Sequence, residues 1–214
     1  MRKAESETQR RRRRRRRRIQ VIIIYTAIAI GLAWFFESQA TTTMIFVRHA
    51  EKAAEPADNP PLSAAGRQRV AELTRQLVDA DVVAGIDAIY VTNTARSEQT
   101  AEPLARRLGI DMQYYETDPV DNEAIVDRMV ADNKGKIILV VGHSNTLPAL
   151  IADLGASKNV PPIAENEYDN IYLVSIPWFG KTKTIRLRYG EPYRAAAGTA
   201  DDESSMSDAA DERI

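Results

Sequence analysis

The chain has 214 residues, with 29 Lys+Arg, 30 Asp+Glu, two His and no Cys. That length suits one ordinary domain with a segment left over, and a 44% hydrophobic share can supply a core. Without Cys there is no disulfide framework, thiol nucleophile or thiolate-held metal, and two His argue against a multi-histidine metal centre.

The net charge of −1 averages two opposed regions. Residues 1–18 carry 11 basic and two acidic side chains, whereas the chain from Thr41 onward carries 18 basic and 27 acidic. The body is acidic, so no nucleic-acid partner is expected. Arg10 to Arg18 are nine consecutive arginines, followed by an uncharged run from Ile19 to Phe36. Eighteen residues at about 1.5 Å each make a helix of about 27 Å, enough for the hydrocarbon core of a bilayer. Residues 1–18 are therefore predicted to be a basic cytoplasmic segment and 19–36 a transmembrane helix, with Trp34, Phe35 and Phe36 at the far interface. This topology is single-pass and carries the domain out of the cytoplasm. The alternative is a signal peptide cleaved after Ser38-Gln39-Ala40, giving a secreted or periplasmic domain. The apolar run exceeds the roughly 7–15 residues of a signal core, which favours retention.

Thr41–Val47 reads as a short buried strand, and Ser63 as the cap of a helix with Val70, Leu73, Leu77 and Val78 on one face. Asp87–Thr92 is a second strand, and a helix from Ala95 to Leu108 is stopped by Gly109. Asp111–Tyr115, Asn122–Ala131, Lys136–Val141 and Asn145–Leu154 continue the alternation of strand and helix. The pattern predicts an α/β fold of three layers over residues 41–190, with a largely parallel sheet and helices on both faces. Asn170–Ile176 and Thr182–Tyr189, flanking Pro177-Trp178-Phe179-Gly180, read as an antiparallel hairpin at one edge. Residues 195–214 hold six acids against Arg213 and are expected to be a disordered tail.

Both histidines follow apolar strands: Arg48-His49 after the first and Gly142-His143 after the strongest. The carboxyl ends of parallel strands are where such sheets bind ligands. Arg96, where the second strand passes into a helix, can reach the same crevice. Two arginines and two histidines there suit a tetrahedral dianion, because the guanidinium fork matches phosphate oxygens and keeps its charge. A helix starting near Asn145 is expected to add backbone N–H donors.

Arg48-His49 after a strand, Leu62-Ser63-Ala64-Ala65-Gly66, Arg96 with Gln99-Thr100-Ala101, and Gly142-His143, in that order, resemble the histidine phosphatase superfamily, also called phosphoglycerate mutase-like. The likeness covers about Thr42 to Tyr189 and is greatest to the small exported members. Ala50 stands where Gly is commoner. The resemblance implies that His49 is a nucleophile carrying a phosphohistidine that water hydrolyses, with Arg48, Arg96 and His143 binding the phosphoryl group. It also implies an acid that protonates the leaving oxygen. Glu116 after the third strand is the choice by chain order, with Asp118 and Glu51 as competitors.

The chemistry agrees with that implication. An imidazole attacks only when neutral, neighbouring cations disfavour its protonation, and a hydrogen bond to its second nitrogen fixes the tautomer. The same cations stabilise the transferring phosphoryl oxygens, so no metal or cofactor is called for. The expected substrate is a phosphorylated small molecule or a phosphoprotein, membrane-associated if the anchor is retained. A phosphatase is favoured over a mutase, because the stretches 51–62 and 117–123 leave little material for a lid. A membrane-anchored module that binds phosphorylated ligands without turnover is the competing reading.

Overall fold

The computed structural model describes residues 2–37, 41–79, 85–116, 122–156 and 159–193. A helix of 36 residues, α1 (Arg2–Glu37), comes first. It begins well before the predicted start at Ile19, so the arginine run is helical too. Arginine is a good helix former, and no Gly or Pro interrupts residues 2–18. From Arg12 to Phe35 the helix is long and apolar enough to cross a membrane, and none of the apolar window is buried. Ser38-Gln39-Ala40, Asp118 and the acidic stretch from Ala195 lie outside the described residues.

The domain is built on one six-stranded sheet. β1 (Thr42–Arg48), β2 (Ala88–Thr92), β3 (Met112–Tyr115) and β4 (Ile137–Gly142) are parallel, in the order β3-β2-β4-β1. β5 (Asn170–Ile176) pairs antiparallel with β1 and then with β6 (Lys183–Arg188), which forms the edge. The α/β architecture and the antiparallel hairpin are as expected.

The strands are apolar at consecutive positions because both faces are covered. Met44, Phe46, Ile138 and Val140 pack with α4 (Asn122–Asp132) and α5 (Leu147–Asp153) through Val126, Met129, Leu147 and Leu150. Ile45, Val47, Leu139 and Val141 point the other way. They meet Leu73 of α2 (Ala64–Asp79) and Ala101, Leu104 and Ala105 of α3 (Ala95–Leu108). Val70 and Leu73 are buried as the helical spacing requires, and Leu77 and Val78 pack against the same core.

The helix ends follow local chemistry. Ser63 Oγ accepts the Gly66 N–H at 3.0 Å and caps α2. Gly109, at φ +67°, turns the chain out of α3 while its N–H bonds back to Ala105 O. Pairing of β4 with β1 on one side and β2 on the other sets the ends of all three strands side by side, and the candidate site forms there.

Candidate active site

His49 follows the last residue of β1, and its N–H bonds to Gly142 O at 3.0 Å. Three sequence motifs hold this turn. Thr100 Oγ accepts the Ala50 N–H at 3.0 Å and donates to Arg96 O at 2.7 Å. Gln99 Oε1 accepts the Leu62 N–H at 2.8 Å, and the Ser63 N–H bonds to Glu51 O at 2.8 Å. Gly66 lies directly against Glu51 O, leaving no room for a Cβ. Ala50 is fully buried with Leu62 and Val70, so its methyl group fills space that Gly would leave empty. The Leu62–Gly66 and Gln99–Ala101 motifs thus act by fixing the turn that carries His49.

The His49 ring is buried, with Nδ1 2.8 Å from Ala50 O. A carbonyl only accepts, so Nδ1 is assigned the proton and Nε2 keeps its lone pair. Burial, followed by the charges of His143, Arg48 and Arg96, pushes the His49 pKa down to about 3 against the opposing pull of Ala50 O. The ring is therefore neutral at neutral pH. His143 lies edge-on to it, with ring centres 5.1 Å apart. Its Nε2 is 3.0 Å from Thr92 Oγ, which donates onward to Ser97 Oγ at 2.7 Å. That assigns the Nε2 proton to His143. Burial, then Arg96 and Arg48, pushes the His143 pKa down to about 4.

Arg48 is held by a loop that the sequence reading passed over. Its Nη1 donates to Ala164 O at 2.7 Å and Glu167 O at 3.0 Å, and its guanidinium lies 4.2 Å from the centre of the Tyr168 ring. Buried Glu167 holds this loop by accepting from the Ala164 N–H at 3.1 Å, Asn170 Nδ2 at 2.8 Å and Arg188 at 3.3 Å. Asp169, also buried, accepts from Arg188 Nη1 at 2.6 Å and the Tyr193 N–H at 2.8 Å. Arg48 Nε is buried without a hydrogen-bond partner among the described residues.

Arg48, His49, Arg96 and His143, all picked out from the sequence, line one open cavity of about 440 Å³. Lys52, Asn145, Thr146 and Glu165 line it too. Neither described acid candidate does. Glu116 is exposed at the end of β3 and lines a separate cavity with Tyr114, Ile125 and Arg128. β3 is the edge strand, separated from β1 by β2 and β4, so its end lies well to one side of His49. Glu51 turns away to accept from Arg69 Nε at 2.7 Å.

The helix after His143 also differs from expectation. α5 starts at Leu147 and has only seven residues, and the Thr146 and Leu147 amides both bond to His143 O. Those donors are not available to an anion. Gly142 allows the close packing above them, since a Cβ there would lie 2.7 Å from Tyr115 Oη and 2.8 Å from Leu147 Cδ2. Among the described residues no three potential metal ligands form a group.

Residues 44–117 match the family model described as the histidine phosphatase superfamily (branch 1). No curated protein matches the chain in sequence. Among solved structures, a protein histidine phosphatase SixA complexed with tungstate is 20% identical, with a TM-score of 0.55, over 68% of this chain and 96% of its own. A phosphoserine phosphatase from Entamoeba histolytica, in complex with 3-phosphoglyceric acid, is 15% identical, with a TM-score of 0.51, over 70% and 97%. At such identities the likeness is one of fold. The segment that matches the histidine phosphatase superfamily carries Arg48, His49 and Arg96, and the solved structures share the fold around it.

Proposed function

We propose that the protein is a metal-independent phosphatase acting on phosphomonoesters or phosphohistidine through a phosphohistidine on His49. One observation carries this reading: His49 Nδ1 is committed to Ala50 O, which leaves the Nε2 lone pair in a cavity lined by Arg48, Arg96 and His143. The structural neighbours, named as a protein histidine phosphatase and a phosphoserine phosphatase, support a phosphorylated substrate.

In this mechanism Arg48, Arg96 and Lys52 bind the non-bridging oxygens. The dianion supplies the negative charge that lets His143 take up a proton and donate to it as well. His49 Nε2 attacks phosphorus as the bond to the leaving oxygen breaks. Glu165, the one carboxyl group that lines the cavity among the described residues, protonates that oxygen in place of Glu116. Water then attacks the phosphohistidine, its proton passes to the Glu165 carboxylate, and phosphate leaves with His49 restored. The cations stabilise charge developing on the phosphoryl oxygens throughout.

The same proposal takes α1 as a retained single-pass anchor, with the arginine run in the cytoplasm and the domain on the far side. Its support is the length and apolar character of Arg12–Phe35. The test of the activity is hydrolysis of p-nitrophenyl phosphate in EDTA by the detergent-solubilised full chain and by its His49→Ala variant. Turnover in the parent and none in the variant is the expected result. A parent that binds phosphate yet releases none from any ester would instead establish a binding module.

A further inference from the structure

At the end of the sheet opposite the cavity, the turn between β5 and β6 presents two aromatic rings to solvent. Trp178 is 60% and Phe179 87% exposed, and exposed Lys181 and Lys183 follow them. Large apolar side chains grouped at a turn tip are poorly placed in water and mark a contact surface. The rings are not isolated from the rest of the chain. Trp178 stands edge-on to Phe35 in the last turns of α1, with ring centres 5.4 Å apart and planes at 89°. Strand pairing brings them together: Ile176, just before the turn, lies opposite Thr42, where β1 begins only a few residues after α1 ends.

We infer that the Trp178–Phe179 turn is a second membrane contact, seated at the lipid–water interface of the bilayer that α1 crosses, and that it turns the catalytic cavity away from that bilayer. The inference rests on the anchor reading above. Phe35 lies at the far end of the apolar run, where an anchor meets the headgroups, so a ring packed on Phe35 lies at the same depth. Indole is suited to that layer, having an apolar body and one N–H donor, and lysines beside it extend their ammonium groups to lipid phosphates. A bilayer is favoured over a second copy because the aromatic turn is continuous with the anchor.

The consequence for substrate follows from β1. Its seven residues run from the membrane end to Arg48, a rise of about 20 Å at about 3.3 Å per residue. With helix and turn both seated, a β1 that rises along the membrane normal holds His49 about that far from the surface. The cavity then takes phosphoryl groups presented from the aqueous side. Headgroups of the anchoring bilayer stay out of its reach, contrary to the membrane-associated substrate expected from the anchor alone.

Trp34 and Trp178 are the chain's two tryptophans, so each can be observed alone. The full chain carrying Trp34→Phe, and separately Trp178→Phe, is reconstituted into vesicles of phosphatidylcholine and phosphatidylglycerol with or without brominated acyl chains. Loss of emission on bromination is expected for both single-tryptophan chains. Quenching of Trp34 with none of Trp178 would overturn the second contact while keeping the anchor. If that unquenched Trp178 were also shielded from aqueous iodide, a protein surface would be covering it instead. Quenching of neither would remove the anchor and this inference together, with p-nitrophenyl phosphate hydrolysis still reporting separately on the phosphatase.

Discussion

The two ends of β1 are built on opposite principles. At the carboxyl end, Arg48 and His49 are buried and held by specific polar contacts. Arg48 is held by two carbonyls and a tyrosine ring, and His49 and His143 are each fixed by one hydrogen bond. At the amino end, apolar rings stand exposed beside a helix whose apolar stretch is not buried. On the proposed reading, the difference separates chemistry from attachment. A nucleophile needs a fixed tautomer and a cationic setting, whereas an attachment surface needs apolar groups facing a bilayer.

Substitutions at the carboxyl end test the chemistry first. His49→Ala removes the nucleophile, and turnover is expected to fall on the order of 10⁴-fold or more, measured on p-nitrophenyl phosphate. Arg96→Ala removes a cation from the phosphoryl site, with an expected loss of about 10²–10³-fold in kcat/KM. Glu165→Gln has an effect that depends on the leaving group. Alkyl phosphates, whose oxygen must be protonated, should slow by about 10²-fold, and p-nitrophenyl phosphate should change little. Equal losses on both substrates would remove Glu165 as the acid.

Thr100→Val leaves the Ala50 N–H without its acceptor and is expected to cost about 1–3 kcal/mol of stability in denaturant titration. At the other end, Trp178→Ser with Phe179→Ser should change stability by less than about 0.5 kcal/mol, since both rings are largely exposed. Hydrolysis by that variant in detergent should match the parent. A large loss there would mean that the two ends are coupled after all.

The histidines add a pH dependence of known sign. Their folded pKa values, about 3 and about 4, lie below the ordinary histidine value of 6.5. The unfolded chain therefore binds protons first as pH falls. Their contribution to stability is fully present above about 6.5 and is lost progressively as pH drops toward 4 and then 3. A stability profile that becomes shallower over that window in His49→Ala would bear this out, and an unchanged slope would not.

Much of this was legible in the sequence because the main residues sit at strand ends, where local pattern and function coincide. Arg48, His49 and His143 each lie within one residue of a strand's last position, so a correct strand reading places them. The acid was harder. Chain order favoured Glu116, but β3 is the edge strand, and order along the chain does not reveal order across the sheet. Glu165 lies in a connection without periodicity, and its place in the cavity lining depends on Arg48 bonding to Ala164 and Glu167 across more than a hundred residues. Thr92 was visible as a strand end, yet its bond to His143 depends on the pairing of β2 with β4. The start of α5 was misplaced by two residues because Thr146 closes a turn on His143 before the helix can begin.

The central claim is a covalent phosphoryl group on His49, and it is tested by stopping the full chain in alkali during turnover in EDTA and mapping the modified peptide by mass. One phosphoryl group on His49, stable in alkali, lost in acid and absent in His49→Ala, is the expected result. Phosphate release at a full rate with His49 never modified, or surviving in His49→Ala, would contradict it.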